Sequence, residues 1–182
     1  MKKPFLLLFG VLLVFSATNS YAQFGARGGL NVANFDGFSF NSRLGFHLGA
    51  FYEYELQPEW SIEPGIYFSQ KGYKSSSGDI RENLGYIDIP ILARYRFADM
   101  FNVFAGPQGS LLVSRNYTLN GNVSQTMEVL RGYDIAGVLG AGVDLPYDIN
   151  LQISYDLGLV SLNYFDVNVK NRVFKFSVAR RF

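Results

Sequence analysis

From residue 24 to the end of the chain, apolar side chains recur at every second position and almost never at helical spacing. That period is the strongest constraint in the sequence, because successive side chains of a strand point to opposite faces. The stretch "YIDIPILARYRF" (86–97) shows it plainly. Ile87, Ile89, Ile91, Ala93, Tyr95 and Phe97 fall on one face, and Tyr86, Asp88, Pro90, Leu92, Arg94 and Arg96 on the other. The same reading places strands at about 24–34, 43–56, 60–71, 86–97, 101–114, 132–145, 149–159 and 171–182.

The connections alternate in length. "QPE" (57–59), "ADM" (98–100) and "PYD" (146–148) are short, whereas 35–42, 72–83, 115–132 and 160–170 are long. Strands joined by short turns at one end and long loops at the other predict an antiparallel up-and-down meander, with both termini at the short-turn end.

Alternation alone does not say which face is inside. A soluble ligand-binding barrel turns its apolar face inward; an outer-membrane barrel turns it toward lipid and keeps the lumen polar. The strands run about 11–14 residues by this reading, enough for a tilted crossing of the hydrocarbon, which takes roughly 9–11. The polar face carries Arg27, Arg43, Lys71, Arg94, Arg96, Lys175 and Arg181 against Glu53, Glu55, Glu63, Asp88, Asp134, Asp144 and Asp156, interspersed with glycine. Balanced charge beside small residues suits a narrow interior where each ion must find a partner. Aromatic residues gather near strand ends (Tyr52, Tyr54, Trp60, Phe68, Tyr95, Phe97, Phe101, Tyr133, Phe182), as interfacial girdles require. The expected fold is all-β: an eight-stranded antiparallel up-and-down transmembrane β-barrel. Eight strands give an interior that side chains just fill, which argues against a diffusion porin.

The first residues agree with export. Lys2 and Lys3 precede an apolar run, Phe5–Phe15, too short to span a bilayer, and Ser20 and Ala22 supply small residues for cleavage. Residues 1–22 are therefore expected to be a signal peptide and 23–182 the mature barrel. Cysteine is absent, which excludes disulfides, thiol catalysis and a lipoprotein anchor. A net charge of +1 with no basic run excludes a nucleic-acid footprint.

Chemistry is sparse. His47 is the single histidine and falls on the lumen face of the second strand. It is expected to bond a neighbouring carboxylate, and a triad acting on lipid would need it on the lipid face or at the outer rim. "GARGG" (25–29) lacks the strand-to-helix context of a phosphate loop. No catalytic, cofactor or metal residue is assigned. The long polar loop at 115–132 is the natural place for a ligand, since loops on a rigid scaffold carry binding.

Proline interrupts the pattern. Pro64, Pro90 and Pro107 lie on neighbouring strands at similar heights, and each removes an N–H from a wall with no free edge. A β-bulge or a loosened ladder is expected at Pro90.

"GARGGLNVANF" (25–35), "PGIYFSQKGYK" (64–74), "YIDIPILARY" (86–95), "AGPQGSLL" (105–112) and "YDLGLVSL" (155–162) together resemble the PorT-like outer-membrane β-barrel family of Bacteroidetes. The resemblance spans the mature chain. It implies an integral barrel in the outer membrane of a Gram-negative bacterium, in contact with outer-membrane lipid and delivered by the barrel assembly machinery. It implies no catalytic residues. The function expected is a monomeric, non-enzymatic structural or surface-binding protein that meets a ligand through its extracellular loops. The alternatives are an accessory factor of a secretion or envelope assembly system, a lipid A-modifying enzyme and a soluble periplasmic ligand-binding barrel.

Overall fold

The computed structural model describes residues 22–36, 40–75, 80–98, 100–119, 122–124, 132–161 and 169–182. The expected signal peptide therefore lies outside the described residues, apart from Ala22. The strands are β1 (Ala22–Asp36), β2 (Phe40–Glu55), β3 (Trp60–Ser75), β4 (Ile80–Phe97), β5 (Phe101–Leu119), β6 (Asn122–Ser124), β7 (Tyr133–Leu145), β8 (Ile149–Gly158) and β9 (Lys170–Arg181). All pairings are antiparallel, and eight strands close a circuit in the order β4-β3-β2-β1-β9-β8-β7-β5, with β5 returning to β4. Closure joins the two ends of the chain: Gly25 pairs with Arg181 and Asp36 with Lys170. The short strand β6 lies outside the circuit and, among the described residues, pairs with Tyr117–Leu119 of β5.

The apolar face is outside. Leu44, Leu48, Ile66, Ile91, Leu111, Leu139, Ile153 and Val178 are all exposed, while Arg27, Glu63, Lys71, Asp88, Arg94 and Asp156 are buried. A water-soluble barrel would have the opposite polarity, so the expected parity holds. Ring contacts link Phe24 with Tyr52 and run from Trp60 through Tyr95 and Phe97 to Phe101, forming a girdle at the short-turn end. Phe46 with Phe68, and Phe174 with Phe176, stand farther toward the loop end.

Two sequence expectations are corrected and one is narrowed. Strands β1 to β5 reach farther at the loop end than the period indicated, so the connections read at 35–42, 72–83 and 115–132 are shorter, while the one read at 160–170 keeps its length. β3 runs to Ser75 and β4 starts at Ile80, and β5 continues to Leu119, with β6 inside the segment read as a single loop. Residues 125–131 of that segment lie outside the described residues. β2 to β5 span 16, 16, 18 and 19 residues against 13, 10 and 12 for β7, β8 and β9, so one wall is taller at the loop end.

At Pro90, where a bulge or a loosened ladder is expected, the loosened ladder alone is found. The register beside it does not shift; β4 meets β3 and β5 in one frame on either side. The expected bulge lies instead at Gly85/Tyr86, with another between Ser42 and His47. Pairing does lapse beside the prolines: at Gly65–Ile66 against Ile89–Pro90, and at Ile91–Leu92 against Gly106–Pro107. The loosened ladder is thus present without an inserted residue, because a missing N–H deletes a bond but does not change the residue count.

The third concerns Arg43, expected on the lumen face. It sits in the irregular stretch between Ser42 and His47, and its Nη1 donates to Asn83 Oδ1 at 2.6 Å. Asn83 shares the outward parity of Arg81, while Glu82 and Leu84 are buried. The register with β1 runs unbroken through Arg43, opposite buried Ala33, so it is the far end of the side chain that departs, reaching Asn83 across the irregular β2–β3 pairing.

Candidate functional site: the lumen

The lumen is a stack of ion-pair tiers, each assembled from several strands. At the short-turn end Glu53 accepts from Ser61 at 2.6 Å, from Arg181 at 3.3 Å and from Arg96. Beside it Asp144 pairs with Arg181 at 2.7 Å and accepts from Asn102 at 2.9 Å and Asn150 at 3.1 Å. One tier up, Glu63 lies between two guanidinium groups, Arg27 at 2.8 Å and Arg94 at 2.8 Å. Arg27 stacks over Phe51 and Arg94 over Phe104, each 4.6 Å from the ring centre.

The next tier is built on Asp88, which takes Lys71 at 2.9 Å, Lys175 at 3.2 Å and Ser110 at 2.6 Å. Lys175 also pairs with Asp156 at 2.6 Å. Near the loop end Arg115 pairs with Glu82 at 2.5 Å, and Asn171 donates to Asp134 Oδ2 at 2.8 Å. The pair Arg115–Glu82 was missed in the sequence because both residues fall in segments read as loop. Asp134 finds an amide instead of the cation that charge balance led one to expect.

Lumen glycines are part of this packing. A Cβ at Gly140 would strike the Phe104 ring, and one at Gly25 the Phe51 ring. The rings that carry the stacked guanidinium groups fit because the facing positions have no side chain. Among the described residues the interior holds a cavity of about 30 Å³ beside His47, Ser177 and Lys175, and another of about 10 Å³ near Glu53 and Arg181. A groove of about 620 Å³ lies on the outer wall, lined by Leu30, Val103, Ile153 and Phe176 among others, and faces hydrocarbon.

His47 lies in the lumen as expected, but its partners are not carboxylates. Nδ1 meets Asn31 Oδ1 at 2.7 Å and Nε2 meets Ser177 Oγ at 2.9 Å. The Asn31 amide nitrogen donates to the Phe46 and Gln70 carbonyls and to Ser69 Oγ. Its oxygen therefore faces the imidazole, which sets the proton on Nδ1 and leaves Nε2 to accept from Ser177. A serine, a base and an orienting amide so arranged have the form of a nucleophilic triad. Access decides against that use: the adjoining cavity of about 30 Å³ has room for about one water molecule and no acyl substrate.

Residues 15–164 match the family described as outer membrane protein beta-barrel domain. Among solved structures, the fold is similar to that of Ail, the attachment invasion locus protein of Yersinia pestis, in complex with the heparin analogue sucrose octasulfate. That match has 14% identity and a TM-score of 0.56, and covers 91% of this chain and 100% of that one. It is also similar to Neisserial surface protein A, at 15% identity and a TM-score of 0.54, covering 88% and 95%. Ail in a phospholipid bilayer nanodisc matches at 15% identity and a TM-score of 0.54, covering 88% and 99%. No curated protein matches the chain in sequence. Likeness at these identities speaks for the fold alone.

Proposed function

This chain belongs to the outer membrane protein beta-barrel domain family, and on that premise we propose that it is a non-enzymatic, non-conducting barrel that presents a binding surface at the cell exterior. The observation that carries the reading is the filled lumen: among the described residues, charged tiers run from Glu53 to Glu82, with small cavities of about 30 and 10 Å³ between them. An ion or solute crossing it would have to break buried pairs, each costly to separate. The enclosed His47–Ser177 contact supports a structural role for the one histidine.

In this proposal the chain is made with a signal peptide cleaved after Ala22, is inserted by the barrel assembly machinery and works as a monomer of the PorT-like group. The short turns face the periplasm and the tall β2–β5 wall faces outward, where a ligand or partner would engage. The test is conductance. The full chain, folded and reconstituted in planar bilayers, is expected to give no steady single-channel steps. Reproducible ohmic steps that persist in purified, heat-modifiable protein would refute the filled-lumen reading.

A further inference from the structure

The tall β2–β4 wall carries cations that differ from those of the lumen. Inside, Arg27, Lys71, Arg94, Arg96, Arg115, Lys175 and Arg181 each hold a carboxylate. Outside, Lys74 of β3 and Arg81 of β4 are direct cross-strand partners. Like charges so placed destabilise a sheet. Arg43 of β2 is close enough to Arg81 to repel it. Its Nη1 donates to Asn83 Oδ1 at 2.6 Å and to the Lys71 carbonyl at 3.2 Å, both neutral acceptors. That reach crosses β3 beside Gly72, the residue opposite Asn83, which has φ 127° and where a Cβ would meet the Glu82 carbonyl.

Among the described residues none of these three cations has a carboxylate partner. The nearest acid along the strand, Glu82, is buried and paired with Arg115. Directly below the cluster the wall turns apolar: Leu44 is 65% and Phe46 44% exposed, and Phe46 packs on Phe68 at 5.9 Å. The three cations therefore stand where hydrocarbon gives way to headgroups at the extracellular end.

We propose that Arg43, Lys74 and Arg81 bind the phosphorylated headgroup of an outer-leaflet glycolipid, whose acyl chains lie over Leu44, Phe46 and Phe68. The inference rests on the membrane-barrel orientation proposed above. A phosphate answers each feature of the cluster. Its oxygens accept from guanidinium in paired geometry and from ammonium as a point charge. Its negative charge cancels the cross-strand repulsion. Asn83 holds one end of Arg43 and leaves its remaining N–H groups for the ligand. A lipid suits the place better than a free anion, because the apolar band immediately beneath is covered by the same molecule.

The test uses the full chain folded in detergent and offered bisphosphorylated lipid A or its dephosphorylated counterpart, with retention read by native mass spectrometry. The wild type is expected to retain the phosphorylated lipid preferentially. Replacing all three cations (R43Q/K74Q/R81Q) should reduce that preference by about tenfold or more, while Lys170→Gln, at the rim of β9, leaves it unchanged. Inorganic phosphate should not displace the lipid. K74Q and R81Q singly are predicted to weaken retention, and in lipid-free detergent to unfold no earlier than wild type, since each relieves repulsion. Equal retention of both lipids by wild type, undiminished preference in the triple variant, or displacement by inorganic phosphate would overturn the assignment. A boiling-dependent gel shift run alongside separates the two readings. With the shift present, such a result sinks only the lipid site; without it in the wild type, the membrane barrel itself fails.

Discussion

Glu63→Gln is the sharpest perturbation of the lumen. The substitution keeps the volume and removes one charge from between two buried guanidinium groups. Arg27 and Arg94 are 5% and 2% exposed and both meet Glu63 at 2.8 Å. Their remaining support is unequal. Arg94 still donates to Asn102 and to Gln152 Oε1 at 3.2 Å and lies 4.0 Å from Glu53, whereas Arg27 keeps the Tyr67 hydroxyl at 2.9 Å. Breaking a buried pair by deleting one partner typically costs about 3–5 kcal/mol, because the other charge stays buried. Here one carboxylate serves two cations, so the expected cost lies toward the upper end of that range. The control is Glu55→Gln: Glu55 is 36% exposed on its side chain and 4.0 Å from Arg96, a geometry worth about 0–1 kcal/mol. The assay is denaturant unfolding of vesicle-reconstituted protein, followed by the single tryptophan, Trp60, and by the boiling-dependent gel shift. Arg27→Gln combined with Glu63→Gln should recover a substantial part of the loss, since it removes the less supported cation. If Glu63→Gln unfolds with Glu55→Gln, within about 1 kcal/mol of wild type, the lumen is hydrated and not closed.

Three further outcomes follow from the same geometry. Leu139→Arg, on the outward face at 67% exposure, should cost about 2–4 kcal/mol if it lies near the bilayer midplane, and almost nothing if that face met water; the same unfolding assay distinguishes the two. Ser177→Ala should leave His47 Nε2 without its 2.9 Å donor and cost about 1–3 kcal/mol, with no hydrolytic activity to lose against acyl-ester probes. In amide exchange by nuclear magnetic resonance, Gly65 and Ile91, which face Pro90 and Pro107 where pairing lapses, should exchange faster than Gly109 and Ser110, where the register continues; uniform protection would contradict the loosened ladder.

Much of the architecture was legible along the chain. Side-chain alternation is a local property of extended backbone, so Ile87 through Phe97 declared their face without reference to any neighbour. The three short connections at 57–59, 98–100 and 146–148 all stand between paired strands, and they set the order of the meander. Strand lengths were less legible, because beyond the hydrocarbon nothing requires an apolar residue at every second position. β4 therefore continues to Ile80 and β5 to Leu119 through sequence that carries no period.

The sequence by itself determined the strand count of the barrel, the polarity of its two faces and the supply of balanced charge for the lumen. Only the tertiary structure decided which charges meet. Lys175 reaches Asp88 across 87 positions and Arg181 reaches Glu53 across 128, because closing β1 on β9 brings together strands from opposite ends of the chain. Ser177 of β9 meets His47 of β2 through that same closure, whereas the shift at Gly85 and the reach of Arg43 to Asn83 are decided by the pairing of β2 to β5. Register around a ring is set by the fit of all eight strands at once, and no single segment carries that information.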